Sequence, residues 1–164
     1  MNTCVRTVLS LAVFGSGAVF AAGKSYMILV GELMGAVESP RIIRDSCATH
    51  FPSSANDNAR LYDAWKSRHK ALLDSVAEQV LRANVRLKKQ GAPGGDEPAG
   101  AMVEALGQAL EQSLSEMIPD QIAQFCGQYP KLIEKKDAEA TSSIPKLLSV
   151  VEYADKELTS RERT

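Results

Sequence analysis

The chain has 164 residues, 45% hydrophobic and 24% charged, with 19 basic against 20 acidic side chains. That is enough for one globular domain with a core, and too hydrophobic for intrinsic disorder. A net charge of −1 argues against nucleic acid or anionic lipid as the main partner, since both are bound by clustered positive charge. Two histidines leave few parts for a multi-histidine metal site.

Arg6 precedes seventeen uncharged residues, Thr7 to Gly23, of which Val8 to Phe20 are mostly apolar. Small residues close the run at Ala21-Ala22-Gly23. This is the pattern of a secretory signal peptide, cut after Ala21 or after Gly23. An uncleaved span is disfavoured because it needs about 20 apolar residues, and this run is interrupted by Ser10, Gly15, Ser16 and Gly17. Cys4 lies before the apolar run, whereas a lipoprotein cysteine follows it. The expected organisation is a signal peptide over about 1–22, a helical domain over 23–158 and a frayed tail over 159–164, in a protein that is periplasmic or secreted and free of the membrane after cleavage. Ala18 to Ser25 also fits a relaxed phosphate-loop pattern, A-x-x-x-x-G-K-S. It lacks the further glycines that cradle phosphate, and no second strand ending in an acidic residue follows, so nucleotide binding is set aside.

Export leaves two cysteines, Cys47 and Cys126, for an oxidising compartment, and one disulfide is expected. The alternative is a metal site of Cys47, His50, His69 and Cys126, whose uneven spacing matches no common zinc pattern.

The apolar residues recur at steps of three and four, which predicts an all-α, single-domain helical bundle. Tyr26 to Val37 forms a helix or partly extended lead-in, with Ile28, Leu29, Leu33, Met34 and Val37 apolar. Pro40 suits the first turn of a second helix reaching Phe51, where Pro52 ends it. Capping residues Ser53, Ser54, Asn56 and Asp57 introduce the longest helix, to Lys89, with Leu61, Trp65, Leu72, Val76, Val80, Ala83 and Leu87 inward. Its 33 residues would span about 50 Å, so a bend or break is expected. Gln90 to Gly100, rich in glycine and proline, reads as a flexible connection. Helices follow over Ala101 to Ile118, Pro119 to Tyr129, and, after a polar stretch capped by Ser142 or Ser143, Ile144 to about Leu158.

Charge is segregated. Asp57 to Gln90 carries eight basic and four acidic residues, whereas Gly91 to Tyr129 carries six acidic and no basic ones. Either the two segments form a hairpin with attracting flanks, or the basic face docks an acidic partner. No catalytic motif, cofactor motif or regular metal-ligand spacing is present. His69, between Trp65 and Leu72 on the apolar stripe, reads as a core histidine.

The stretch Cys47-Ala48-Thr49-His50-Phe51-Pro52, followed by Tyr62-Asp63-Ala64-Trp65-Lys66-Ser67-Arg68 and by the distant Cys126, resembles small exported helical proteins of Gram-negative bacteria. The resemblance covers residues 40–70 plus Cys126, implies that the two cysteines pair, and transfers no catalytic residue. Tyr62, Trp65 and Arg68 are candidate interface anchors, such residues being enriched in hot spots; core packing beside the disulfide is the competing role for Trp65. The functional expectation is a non-enzymatic periplasmic domain that binds another protein, with inhibitors and immunity proteins of exported toxins as one class of this size and location. The alternative is a small-ligand binder or hydrolase with a pocket near His69 and Tyr62. Intact-mass measurement of the exported protein should give a chain that begins at residue 22 or 24; a soluble form that retains Met1 would remove the compartment argument.

Overall fold

A computed structural model describes residues 25–163, and the signal-peptide expectation lies outside them. Six α-helices make up the described chain: α1 Tyr26–His50, α2 Ala55–Arg68, α3 Lys70–Lys89, α4 Pro98–Ser115, α5 Pro119–Cys126 and α6 Tyr129–Arg161, with a short 3-10 turn at Pro52–Ser54. Among the described residues there is no strand. The all-α single domain predicted from the apolar periodicity is the one observed.

The organising element is α1. Tyr26, Leu29, Val30, Leu33, Met34 and Val37 are all buried, and at 100° per residue they share one broad face of about 140°. A broad apolar face has to be covered, and Gly31 and Gly35 beside it let a further helix approach closely. α4 and α6 cover it along its length, and α2 and α5 close its C-terminal end. The ends of the contacts fix direction. Gly31 faces Met102, Gly35 faces Leu106 and His50 meets Glu111, so α1 and α4 run parallel. His69 meets Asp137 and Arg86 meets Asp155, so α3 and α6 also run parallel. The Tyr129 hydroxyl donates to the Pro40 carbonyl at 2.8 Å, and Tyr26 at the other end of α1 lies beside Asp155, which makes α1 and α6 antiparallel.

Residues 26–50 form one helix with Pro40 inside it, where two elements were expected. A proline in a helix interior costs about 3 kcal/mol through its missing N–H and its ring clash. Burial of Val37, Pro40 and Ile42 on both sides of the break offsets that cost, and Arg41 braces the turn through a 2.7 Å bond to Glu38. Ser25 begins the helix by accepting from the Ile28 N–H.

The expected break in the long third element falls at His69, a single non-helical residue between α2 and α3. The connection to α4 is shorter and better anchored than the glycine and proline content suggested. Gly94 has φ +110, and an added Cβ there would lie 2.7 Å from the Ala101 Cβ. Pro98 takes the first turn of α4, and the Ala99 N–H is capped by the Asn84 side chain of α3 at 2.9 Å. The cap acts together with apolar packing, since Ala83 and Leu87 of α3 share the core with Ala99 of α4, and of the charged flanks Lys88 and Asp96 pair next to the turn.

The last helix starts 15 residues before the expected Ile144, and runs past Leu158 to Arg161. The polar stretch hides a narrow stripe of Ile133, Lys136, Ala140 and Ile144, all buried, with the Lys136 ammonium turned out to Glu139 at 2.7 Å. Ser142 and Ser143 bond back to carbonyls one turn earlier instead of capping a new helix. At the far end Arg86 holds the turn that was expected to fray. Its guanidinium side chain, 9% exposed, donates to the Asp155 carboxylate and carbonyl, the Thr159 hydroxyl and Glu162.

The two cysteines are bonded, with an S–S distance of 2.08 Å and Cα atoms 5.6 Å apart, tying α1 to α5. The metal reading is thereby excluded for these sulfurs. His50 and His69 are engaged elsewhere, with Glu111 and Asp137. Closing a loop of 79 residues removes unfolded-state entropy worth about 4.5 kcal/mol in the chain-entropy model. Denaturant titration should show a loss of that order on reduction and none on adding a chelator; a chelator that melts the domain would reverse the assignment.

Candidate functional site

Beside the disulfide lies a second, smaller core made of Trp65 from α2 and of Tyr129 and Ile133 from α6, with Ile43, Leu61, Tyr62, Leu73 and Leu132 against it. Trp65 is 1% exposed, so it packs inside the protein and presents no surface to a partner. Its indole N–H has no protein acceptor, and the ring contributes through buried apolar area.

The row continues outward from that buried ring on both sides. Tyr62 stacks on Trp65 with centroids 6.1 Å apart, and the Arg44 guanidinium of α1 lies 4.3 Å from the Tyr62 ring centre. This is cation–π geometry, which fixes both side chains at the surface. Burial pushes the Tyr62 phenol above its ordinary value, and the charge of Glu38 adds to the effect. On the other side the His69 ring is 5.8 Å from Trp65 and its Nε2 donates to Asp137 Oδ1 at 2.7 Å. Arg68 grips the same carboxylate with two bonds, Nη2 to Oδ2 at 2.7 Å and Nε to Oδ1 at 3.3 Å.

His69 therefore sits at the edge of the core and bonds a carboxylate, which corrects the expectation of a histidine pointing into an apolar interior. Asp137 was invisible in the sequence, 68 residues away in a stretch read as polar. Arg44 was equally silent. Tyr129 was within reach of the reading, because it follows Cys126 by three and shares its inward face.

The three candidate interface residues thus separate by exposure. Trp65 is core, Tyr62 is half-buried beneath Arg44, and Arg68 is exposed and bonded to Asp137. Arg44 on Tyr62 and Arg68 on Asp137 thus lie on the two flanks of the buried Trp65, each tying α2 to another helix, and Arg44 also bonds the neighbouring Asp45. The best-formed surface depressions lie elsewhere. One, of about 390 Å³, is lined by Lys156, Thr159, Ser160 and Arg163, and the other, of about 230 Å³, lies between α3 and α6 near Val85 and Arg86. Among the described residues no group of three or more metal-ligating side chains converges, and no helix is long and apolar enough to cross a membrane. No family model matches the chain, and no curated protein or solved structure matches it either.

Burial works to raise the Asp137 carboxyl, but the bonds from Arg68 and His69 prevail and hold it below the ordinary carboxylate range. A carboxylate depressed in the folded state stabilises the fold above its unfolded pKa of about 3.9, and that contribution disappears as pH falls through the folded value. Asp137→Asn should lower stability at pH 7 by about 1 kcal/mol, a modest figure because the pair is partly screened by solvent. The gap to wild type should begin to narrow below about pH 4 and disappear only below the folded value. Urea unfolding at pH 7 and pH 3 measures both; an equal gap at the two pH values would show that the charge is not what Asp137 contributes.

Proposed function

We propose that the protein is a non-enzymatic interaction domain of the periplasm or of a secreted fraction, and that it binds another protein through the face built by Arg44, Tyr62 and Arg68. The observation that carries this reading is the Arg44–Tyr62 pair held above the buried Trp65, with Arg68 held on Asp137 at the other flank of that ring. Tyrosine and arginine held in one conformation lose little entropy on docking, and they are enriched among residues that dominate binding energy. A domain of this size with a disulfide fits an inhibitor or immunity protein for an exported toxin, and the disulfide favours the oxidising compartment in which such a protein works. The competing reading, a small-ligand binder or hydrolase using His69 and Tyr62, has less support. It needs an enclosed cavity beside those residues, and the best-formed depressions are lined by others.

The test is recovery of a partner on immobilised mature protein from the periplasm of its own cell, repeated with Tyr62→Ala and Arg68→Ala. Each substitution should weaken the measured affinity at least tenfold, about 1.4 kcal/mol, while Lys131→Ala on the outside of α6 leaves it unchanged. Undiminished binding by both variants would move the docking surface elsewhere. Turnover of a small molecule that is lost in His69→Gln, with the fold intact, would favour the enzyme reading instead.

A further inference from the structure

The outward face of α3 carries Leu81 and Val85, 69% and 60% exposed. They are four residues apart and project side by side, away from the inward row of Val76, Gln79, Ala83 and Leu87. The same outward stripe, followed at steps of three and four, reads Lys70, Asp74, Glu78, Leu81, Val85, Lys88. The apolar pair is flanked by the acidic Asp74 and Glu78 on its N-terminal side and by the basic Lys88 on its C-terminal side. We propose that a second copy of this chain docks on this stripe, with the two α3 helices antiparallel about a twofold axis between residues 81 and 85.

The charge order selects that arrangement. A parallel pair would set Glu78 against Glu78 and Lys88 against Lys88, like charge on like. The antiparallel pair sets Leu81 against Val85 of the partner subunit and Glu78 against Lys88 of the partner subunit, and each contact occurs twice by symmetry. The helix dipoles are then also opposed, and each Glu78 lies beside a Lys88 of the partner subunit. Within one chain these charges have only exposed, local partners: Asp74 with Lys70, Glu78 with Arg82, and Lys88 with Asp96. Such pairs are worth little in water and are readily exchanged for contacts across an interface. The face is one helix wide, smaller than a standard interface of about 1,600 Å², so the dimer is a reversible one, populated at micromolar concentrations or above. It is distinct from the Arg44–Tyr62–Arg68 face on α1 and α2, so its fate does not depend on the reading of that face.

Sedimentation velocity on the mature, disulfide-intact protein, from about 10 μM to 1 mM, should show a monomer–dimer equilibrium of the kind expected for a small interface. Leu81→Lys and Val85→Lys should each weaken it at least tenfold. The deciding set is electrostatic: Glu78→Lys and Lys88→Glu should each weaken dimerisation, and the double exchange should restore it. All four positions are on the surface, and circular dichroism verifies that each variant is folded. A monomer at every concentration would overturn the proposal and leave the stripe to a different partner. A dimer indifferent to Leu81→Lys and Val85→Lys, or a double exchange that fails to restore what the single ones lose, would overturn it as well.

Discussion

The fold depends on the need to hide α1. Few of its core-half residues are polar enough to remain in water, and Leu33 and Val30 are almost wholly enclosed. At about 25 cal/mol per Å² of apolar surface, and about 1.5–3 kcal/mol for each fully buried aliphatic side chain, this single helix supplies a large share of the driving force. The other helices are arranged as its cover. α4 can be thin and polar on its outside because its task is to lay Met102, Val103 and Leu114 over one side. α6 is long because the opposite side of α1, together with α2 and α3, needs a continuous partner. Pro40 is tolerated for the same reason: breaking α1 at that point would expose Val37 and Ile42, a greater loss than one helical hydrogen bond.

Two polar fastenings set the register of α6 along its cover. At one end Arg68 and His69 hold Asp137, and at the other Arg86 holds Asp155, Thr159 and Glu162. The two ends differ in kind. The Asp137 fastening is partly wet and contributes modestly. The Arg86 fastening is almost dry: burial opposes the guanidinium charge, and the bonds to Asp155 and Glu162 overcome it. The same enclosure, with the Asp155 charge nearby, raises the Tyr26 phenol to about 12. A buried charge with four acceptors has little energetic advantage over an apolar group of its shape, yet it is costly to misplace. Its effect is thus to penalise a one-turn slip of α6, a slip that the repetitive Ile133, Ala140, Ile144, Leu148, Val151 stripe would otherwise permit.

What the sequence made legible follows from which forces are local. The 3.6-residue apolar period decides helix or not, so the class of fold, the inward row from Trp65 to Leu87 and the start of α5 at Pro119 could be read directly. The disulfide was legible because Cys47 and Cys126 are the two cysteines that follow the expected signal peptide, and two cysteines allow one pairing. Helix ends at Pro40 and Ser142 were misplaced because the rules for proline and serine are local, while the packing that overrides them comes from α4, α6 and the core around Tyr129. Length misled in the opposite direction. Residues 57–89 break at His69, whereas residues 129–161 form a helix of 33 residues, since a helix lasts as long as its inward stripe finds a partner. Asp137, Arg44 and the Arg86 network were illegible on principle: pairs separated by many tens of residues leave no periodic trace.

The candidate face shows how core and surface are coupled. Arg44 is carried by α1, Tyr62 and Arg68 by α2, and Asp137 by α6, so no single element positions the group. Cys47 lies three residues beyond Arg44, and Cys126 three before Tyr129. The disulfide therefore pins α1 to the end of α5, just before α6 begins, and Tyr129 of α6 adds a buried bond to Pro40. Loss of the disulfide would leave α1 and the α5–α6 corner joined only by non-covalent packing there. Tyr62 would then keep its place on α2, but the guanidinium above it would no longer be fixed relative to Arg68. The bridge thus acts on the shape of the outer face as much as on the stability of the fold, because the face exists only while three helices keep one geometry.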